Sequence, residues 1–297
     1  MQQRVLIEDV KPQIDGGRFY IKRVQGEAVN VTADIFADGH DKIRAVVRYK
    51  HNEEKDWTEV EMDEYPNDAW KVTFKPTEKG FYEYQVQAWV DHFLTWFTGF
   101  RKKVEAGNDV HVELLEGAEL AKALVNKNKK KADKEELKRL SELFADDNRM
   151  EEAIRMVMNP AFAAIVEKYP FKQYHSSSER LKIFVERSKA LFSTWYEFFP
   201  RSASQTPGEH GTFKDCERLL HKVKDMGFDV LYFPPIHPVG EVNRKGINNA
   251  TNAEPGDVGS PWAIGSKNGG HKAVSPLLGT MQDFEDFIQK SADMGIE

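Results

Sequence analysis

Gly211-Thr212-Phe213-Lys214-Asp215 to Asp225-Met226-Gly227, and again Gly279-Thr280-Met281-Gln282-Asp283 to Asp293-Met294-Gly295, set one seventeen-residue frame twice. In each frame the threonine can cap a helix while the aspartate three positions on answers the cap, an aspartate version of the capping box, and the final glycine ends the helix. In the first copy Phe213, Cys216, Leu219, Leu220, Val223 and Met226 form an apolar stripe at helical spacing. Met281, Phe284, Phe287, Ile288 and Met294 do so in the second. Leu191–Glu197 reads as a short aromatic strand before the first frame. Phe228–Phe233 reads as a compact strand after it, ending at Pro234-Pro235. Strand, helix, strand, loop of about forty residues, helix is a parallel βα arrangement, in which the loops after strands build the active site. The chain is expected to enter a (β/α)8 barrel and break off inside it.

Upstream, Tyr82, Tyr84, Val86, Ala88 and Val90 alternate with Glu83, Gln85 and Gln87, the period-two signature of a half-buried strand. Further strands are expected at Phe19–Arg23, Glu27–Phe36, Ile43–Lys50, Trp57–Met62, Ala69–Phe74 and Thr95–Val104, punctuated by turns such as Asp15-Gly16-Gly17 and Asp38-Gly39. Short strands at this density indicate an immunoglobulin-like β-sandwich over residues 1–108. Trp57, Trp70, Trp89 and Trp96 fall in this region, where they serve either a sandwich core or an exposed platform for sugar rings.

From 109 to 190 the period becomes helical, with runs at Leu137–Phe144, Met150–Met158 and Arg180–Ala190, and a helical bundle is expected there. Asn126–Lys131 is Lys-rich but is followed at once by Asp133, Glu135 and Glu136, which makes it a solvated turn rather than a polyanion patch. His175-Ser176-Ser177-Ser178 reads as a linker. The start of the barrel, residues 191–297, completes the expected multidomain order.

Composition narrows the function classes. The 297 residues carry a net charge of −6 and are 40% hydrophobic, which suits packed cores and argues against a nucleic-acid or anionic-membrane surface. The single Cys216 lies on the apolar stripe of a helix and reads as a core thiol. Residues 1–9 contain no uninterrupted apolar stretch of leader type, and no run of about 18 apolar residues follows, so a cytoplasmic location is expected.

The loop after the second strand, Pro234-Pro235-Ile236-His237-Pro238-Val239-Gly240-Glu241-Val242-Asn243-Arg244-Lys245-Gly246-Ile247-Asn248-Asn249, combines stiff prolines, permissive glycines and side-chain donors. That set suits hydroxyls and a phosphate, yet the spacing is not that of a P-loop. His237 and His271 lack a partnering cysteine or acidic triad, so no metal and no cofactor are expected.

These residues, together with Tyr196-Glu197-Phe198-Phe199-Pro200-Arg201-Ser202, Gly259-Ser260-Pro261-Trp262-Ala263-Ile264-Gly265 and Gly269-Gly270-His271-Lys272-Ala273, resemble the alpha-1,4-glucan:maltose-1-phosphate maltosyltransferases of the alpha-amylase superfamily. The likeness extends over essentially the whole chain. It implies a cytoplasmic homodimer that moves maltosyl units from alpha-maltose 1-phosphate to the non-reducing end of an alpha-1,4-glucan with retention. It further implies that Lys245 binds the donor sugar and that Asn249 and Ser260 line the same pocket. Retention needs a nucleophilic carboxylate and an acid/base carboxylate about 5–5.5 Å apart; the resemblance puts both beyond Glu297, and the expectation is a piece inactive by itself. Asp229 and Glu197, near the two strands, read as structural. Two alternatives stay open: another alpha-amylase superfamily hydrolase or branching enzyme, and a non-catalytic glycan-binding or dimerisation module.

Overall fold

The computed structural model describes residues 4–297. The first three residues of the 1–9 stretch considered above lie outside them. Contacts divide the chain into two compact units, one ending at Arg187 and the other spanning Ser188–Glu297.

The first unit is built on two sheets. One holds β1 (Val5–Lys11), β3 (Val29–Ala37), β7 (Ala69–Phe74) and β6 (Asp63–Glu64), in the spatial order β1-β3-β7-β6. The other runs β2 (Ile21–Val24), β10 (Leu181–Glu186), β8 (Gly80–Asp91), β4 (Ile43–His51) and β5 (Thr58–Glu61), with β9 (Lys172–Ser177) also on β8. Pairing is antiparallel apart from β10 with β2. Val31, Ala33 and Ile35 of the first sheet and Tyr84, Val86 and Ala88 of the second share one buried cluster, as the alternation along β8 requires.

Between β8 and β9 the chain forms α1 (His92–Glu105), α2 (His111–Lys127), α3 (Lys131–Phe144), α4 (Met150–Met158) and α5 (Phe162–Lys168), which enclose a second core around Phe93, Trp96, Leu114, Leu137 and Phe162. Three sequence expectations fail here. Thr95–Val104, expected as a strand, lies in α1: Phe93, Trp96, Phe97 and Phe100 repeat at helical spacing, and Asp91 caps the start by accepting from the Phe93 and Leu94 amides. Aromatic content suggested a strand, but the period selects a helix. Conversely, the run Arg180–Ala190 contains β10, where Leu181, Ile183 and Val185 alternate into the sandwich core. His175–Ser178 is not a linker either, because β9 runs to Ser177 and Ser176 is buried with its hydroxyl donating to the Val5 carbonyl. The helices thus start before residue 109 and give way to strands before 190. Of the Lys-rich stretch, Asn128, Lys129 and Lys130 form the connection between α2 and α3, while Asn126 and Lys127 end α2 and Lys131 begins α3.

Trp70, Trp89 and Trp96 are buried, and the Trp70 and Trp96 indoles donate to the carbonyls of Ile35 and Glu113. Trp57 is half-buried beneath the cations of Arg48 and Lys50. The tryptophans therefore do not form an exposed platform.

In the second unit, β11 (Trp195–Glu197) and β12 (Val230–Tyr232) pair in parallel, with Tyr196 opposite Leu231. Helices α6 (Phe213–Asp225) and α7 (Met281–Asp293) are the two copies of the frame. In both, the threonine hydroxyl and amide lie 2.7 and 2.8 Å from the aspartate Oδ2, and the aspartate amide donates back to the hydroxyl. Gly227 and Gly295 end the helices at φ +81° and +75°, the left-handed backbone that glycine adopts freely. Phe213, Cys216, Leu220, Val223 and Phe287 are buried, and burial pushes the Cys216 thiol up to about 12. Met226, Met281 and Ile288, expected inward, are exposed; Ile288 instead borders an apolar cavity of about 610 Å³ beside Leu231, Phe233 and Phe287.

Candidate substrate cleft

Beyond the carboxyl ends of β11 and β12 the chain opens into a cleft of about 310 Å³. Ligands of parallel α/β units bind in this position, because each strand hands its loop to the same side. After β11 come Phe199, Pro200 and Arg201; after β12 come Pro234, Pro235, His237, Pro238 and Val239. Arg244, Ser266 and Asn268 add polar groups to the wall.

The walls are held by the backbone. Val239 and Ile264 form an antiparallel bridge, with the Gly240 amide donating to the Ala263 carbonyl at 2.7 Å and the Gly265 amide to the Pro238 carbonyl at 2.9 Å. The Ser275 amide donates to the Ile236 carbonyl at 2.8 Å. His237 contacts the Ala273 carbonyl through Nδ1 at 2.9 Å; that contact requires the proton on Nδ1 and leaves Nε2 as the acceptor of the neutral ring. The His271 ring lies 6.0 Å from it. Among the described residues no group of three or more His, Cys, Asp or Glu could hold a metal ion.

Two arginines engage carbonyls rather than carboxylates. Arg244 donates from Nε to Gly240, from Nη1 to Asp257 and from Nη2 to Val239, at 3.0, 3.1 and 3.0 Å. Arg201 donates from Nη1 to the Gly259 carbonyl at 2.7 Å. Gly259 has φ +73°, and a β-carbon there would meet Val239 Cγ1 at 2.9 Å and Arg244 Cγ at 3.0 Å, so only glycine lets the strip pass.

Lys245 follows this clamp and is half-buried, and among the described residues its side chain has no hydrogen bond or ion pair. Asn249 is exposed and adopts φ +62°; Ser260, half-buried, follows Gly259. None of the three lies in the wall of the 310 Å³ cleft itself, although Arg244 does. Arg201, part of the motif at 196–202 but given no role there, and His210 also line the cleft; for His210 the only local signal was a place after a strand and before a helix. Asp229 accepts from the Thr194 amide and hydroxyl, both at 3.0 Å, at the opposite end of the strands, and those hydrogen bonds hold its carboxyl below the usual range. Glu197 is exposed at the end of β11.

Comparison with known proteins locates the chain. The family model described as alpha-1,4-glucan:maltose-1-phosphate maltosyltransferase, domain N/S, matches residues 3–187. The chain is 46% identical over 298 residues to the alpha-1,4-glucan:maltose-1-phosphate maltosyltransferase of Methylacidiphilum infernorum, covering 100% of this chain and 44% of that protein. It is 45% identical to the Chlorobaculum tepidum protein of the same name, with coverages of 99% and 44%, and 42% identical to that of Myxococcus xanthus, with 99% and 45%. The chain therefore spans less than half the length of these relatives.

Proposed function

Because the chain belongs to the alpha-1,4-glucan:maltose-1-phosphate maltosyltransferase family, we propose that the complete protein transfers maltosyl units from alpha-maltose 1-phosphate to the non-reducing end of an alpha-1,4-glucan, releasing phosphate. The carrying observation is the cleft at the carboxyl ends of β11 and β12, whose wall includes Arg244; Lys245, the next residue, is half-buried and has no ion-pair partner among the described residues. A free ammonium beside a cleft rich in hydroxyl-binding groups suits a phosphorylated sugar, since it meets both the anion and the hydroxyls. Lys245, Asn249 and Ser260 are the donor-pocket residues in this reading.

Retention means two displacements at the anomeric carbon. A carboxylate attacks and phosphate leaves as a second carboxyl group protonates the departing oxygen; the acceptor 4-hydroxyl then attacks the glycosyl-enzyme, freeing the first carboxylate and returning a proton to the second. We place both carboxylates outside these 297 residues. In the same reading β11, α6, β12 and α7 open a (β/α)8 barrel, and the two-sheet unit is an immunoglobulin-like sandwich carrying a helical insert. The hydrogen bonds from the Glu297 amide to the Asp229 carbonyl and from the Leu231 amide to the Glu297 carbonyl support the barrel, because they have the pattern of a parallel neighbour of β12. No helix among the described residues is long and apolar enough to cross a membrane. A cytoplasmic homodimer without a cofactor completes the proposal.

The test is phosphate release by the complete protein given maltose 1-phosphate with and without glycogen. Glycogen-dependent release, weakened about tenfold or more in donor KM by Lys245→Ala, is expected. Release of reducing ends from glycogen without any need for maltose 1-phosphate would favour a hydrolase instead.

A further inference from the structure

We infer that Arg244 is a positioning residue whose guanidinium sets the separation between the two strips of backbone that carry Lys245 and Ser260. The inference rests on the donor-pocket reading above. One strip, Val239–Lys245, leaves β12; the other, Asp257–Ser260, returns some fifteen residues later. Arg244 grips both, since Nε and Nη2 donate to the Gly240 and Val239 carbonyls and Nη1 donates to the Asp257 carbonyl. Each of the three carbonyls is met by a different nitrogen of one rigid fork, an arrangement a lysine ammonium cannot reproduce. Lys245 is the next residue after the fork.

The returning strip is held from a second direction. Arg201, arriving from β11, donates to the Gly259 carbonyl, and Gly259 packs its backbone against the aliphatic stem of Arg244. Ser260 follows directly, and its carbonyl accepts from the Ala263 amide at 3.0 Å. Among the described residues neither arginine is paired with a carboxylate: Arg201 faces the Phe199 ring, and Glu241 and Arg244 share the cleft wall with it. The cleft wall thus sets two guanidiniums against the one carboxylate of Glu241 while the arginines order its loop, which suits an anionic donor.

Two measurements on Arg244→Ala and Arg244→Lys test this. Hydrogen exchange on the present chain reads the clamp alone: the Gly240, Gly246 and Gly265 amides, each hydrogen-bonded within the loop, should exchange about ten- to a hundredfold faster in Arg244→Ala, while amides of α6 stay protected. Unchanged exchange would overturn the clamp. Steady-state kinetics on the complete protein reads positioning: donor KM should rise about tenfold or more in both variants with glucan KM within about twofold, and added guanidinium should restore Arg244→Ala but not Lys245→Ala. Donor and glucan KM moving together, or donor KM unmoved in a loosened loop, would overturn positioning. If the unsubstituted complete protein released no phosphate, the functional reading would fall and the positioning role with it, while the exchange result would still decide the clamp.

Discussion

Asp91 is fully buried and accepts four hydrogen bonds: Oδ1 from the Phe93, Leu94 and Phe171 amides at 3.0, 3.1 and 3.1 Å, and Oδ2 from Arg44 Nε at 2.8 Å. Arg44 also contacts Glu167 at the end of α5 and Glu61 of β5. One carboxylate thus caps α1, anchors the return into β9 and neutralises the cation that ties the helices to the sheet. Removing it takes the one buried carboxylate from Arg44, leaving that cation to the more exposed Glu61 and Glu167, and strands three amides at once. Asp91→Ala is therefore expected to lower the stability of the first unit by about 3–5 kcal/mol in urea unfolding; a loss below about 1 kcal/mol, the range of a solvent-exposed pair, would contradict this. The alternation in β8 marks its buried face in the sequence, and Asp91 caps α1 locally, but its anchoring role is not local, because Arg44 and Phe171 stand 47 and 80 residues away.

The repeated helices show the contrary case. Their capping boxes are local, so Thr-x-x-Asp followed by an apolar stripe was sufficient to read them, and both form with matching geometry. The Thr212 hydroxyl and amide hold the Asp215 carboxyl below its usual value, and Thr280 does the same for Asp283. A carboxyl lowered on folding stabilises above its unfolded value and loses that contribution as pH falls through the folded one. Thr212→Ala should cost about 1 kcal/mol near neutrality, and the gap between variant and parent should narrow below about pH 4, where aspartate begins to protonate. Urea titrations followed by circular dichroism at pH 7 and pH 3 check this; a gap that widens on acidification would refute it.

Elements whose period competes with their composition were the illegible ones. Aromatic residues made α1 look like a strand although its buried positions follow the helical repeat, and β10 hid in a charged stretch whose alternation spans only Leu181 to Val185. At the cleft, the loop and its donors were legible as a type. That Arg244 grips three carbonyls while Lys245 has no side-chain partner among the described residues depends on how residues 239–259 fold back, which spacing alone does not encode.

On the scale of the molecule, the boundary at Arg187 coincides with the end of the domain N/S match. Residues 1–187 enclose both the sandwich core and the helical core, and are expected to unfold cooperatively when expressed separately. The second unit exposes Trp195, Tyr232 and Ile288 and opens an apolar cavity of about 610 Å³ beside β12. Residues 188–297 alone are expected to aggregate through that face; a soluble monomer with a cooperative transition would contradict this.

The central claim concerns the complete protein, of which this chain holds the opening of the proposed donor cleft. Mass spectrometry of maltoheptaose incubated with that protein and maltose 1-phosphate tests it most directly. The account predicts acceptors lengthened in steps of two glucose units, with one phosphate released per step. A ladder of single-glucose steps, or lengthening that needs no maltose 1-phosphate, would contradict it.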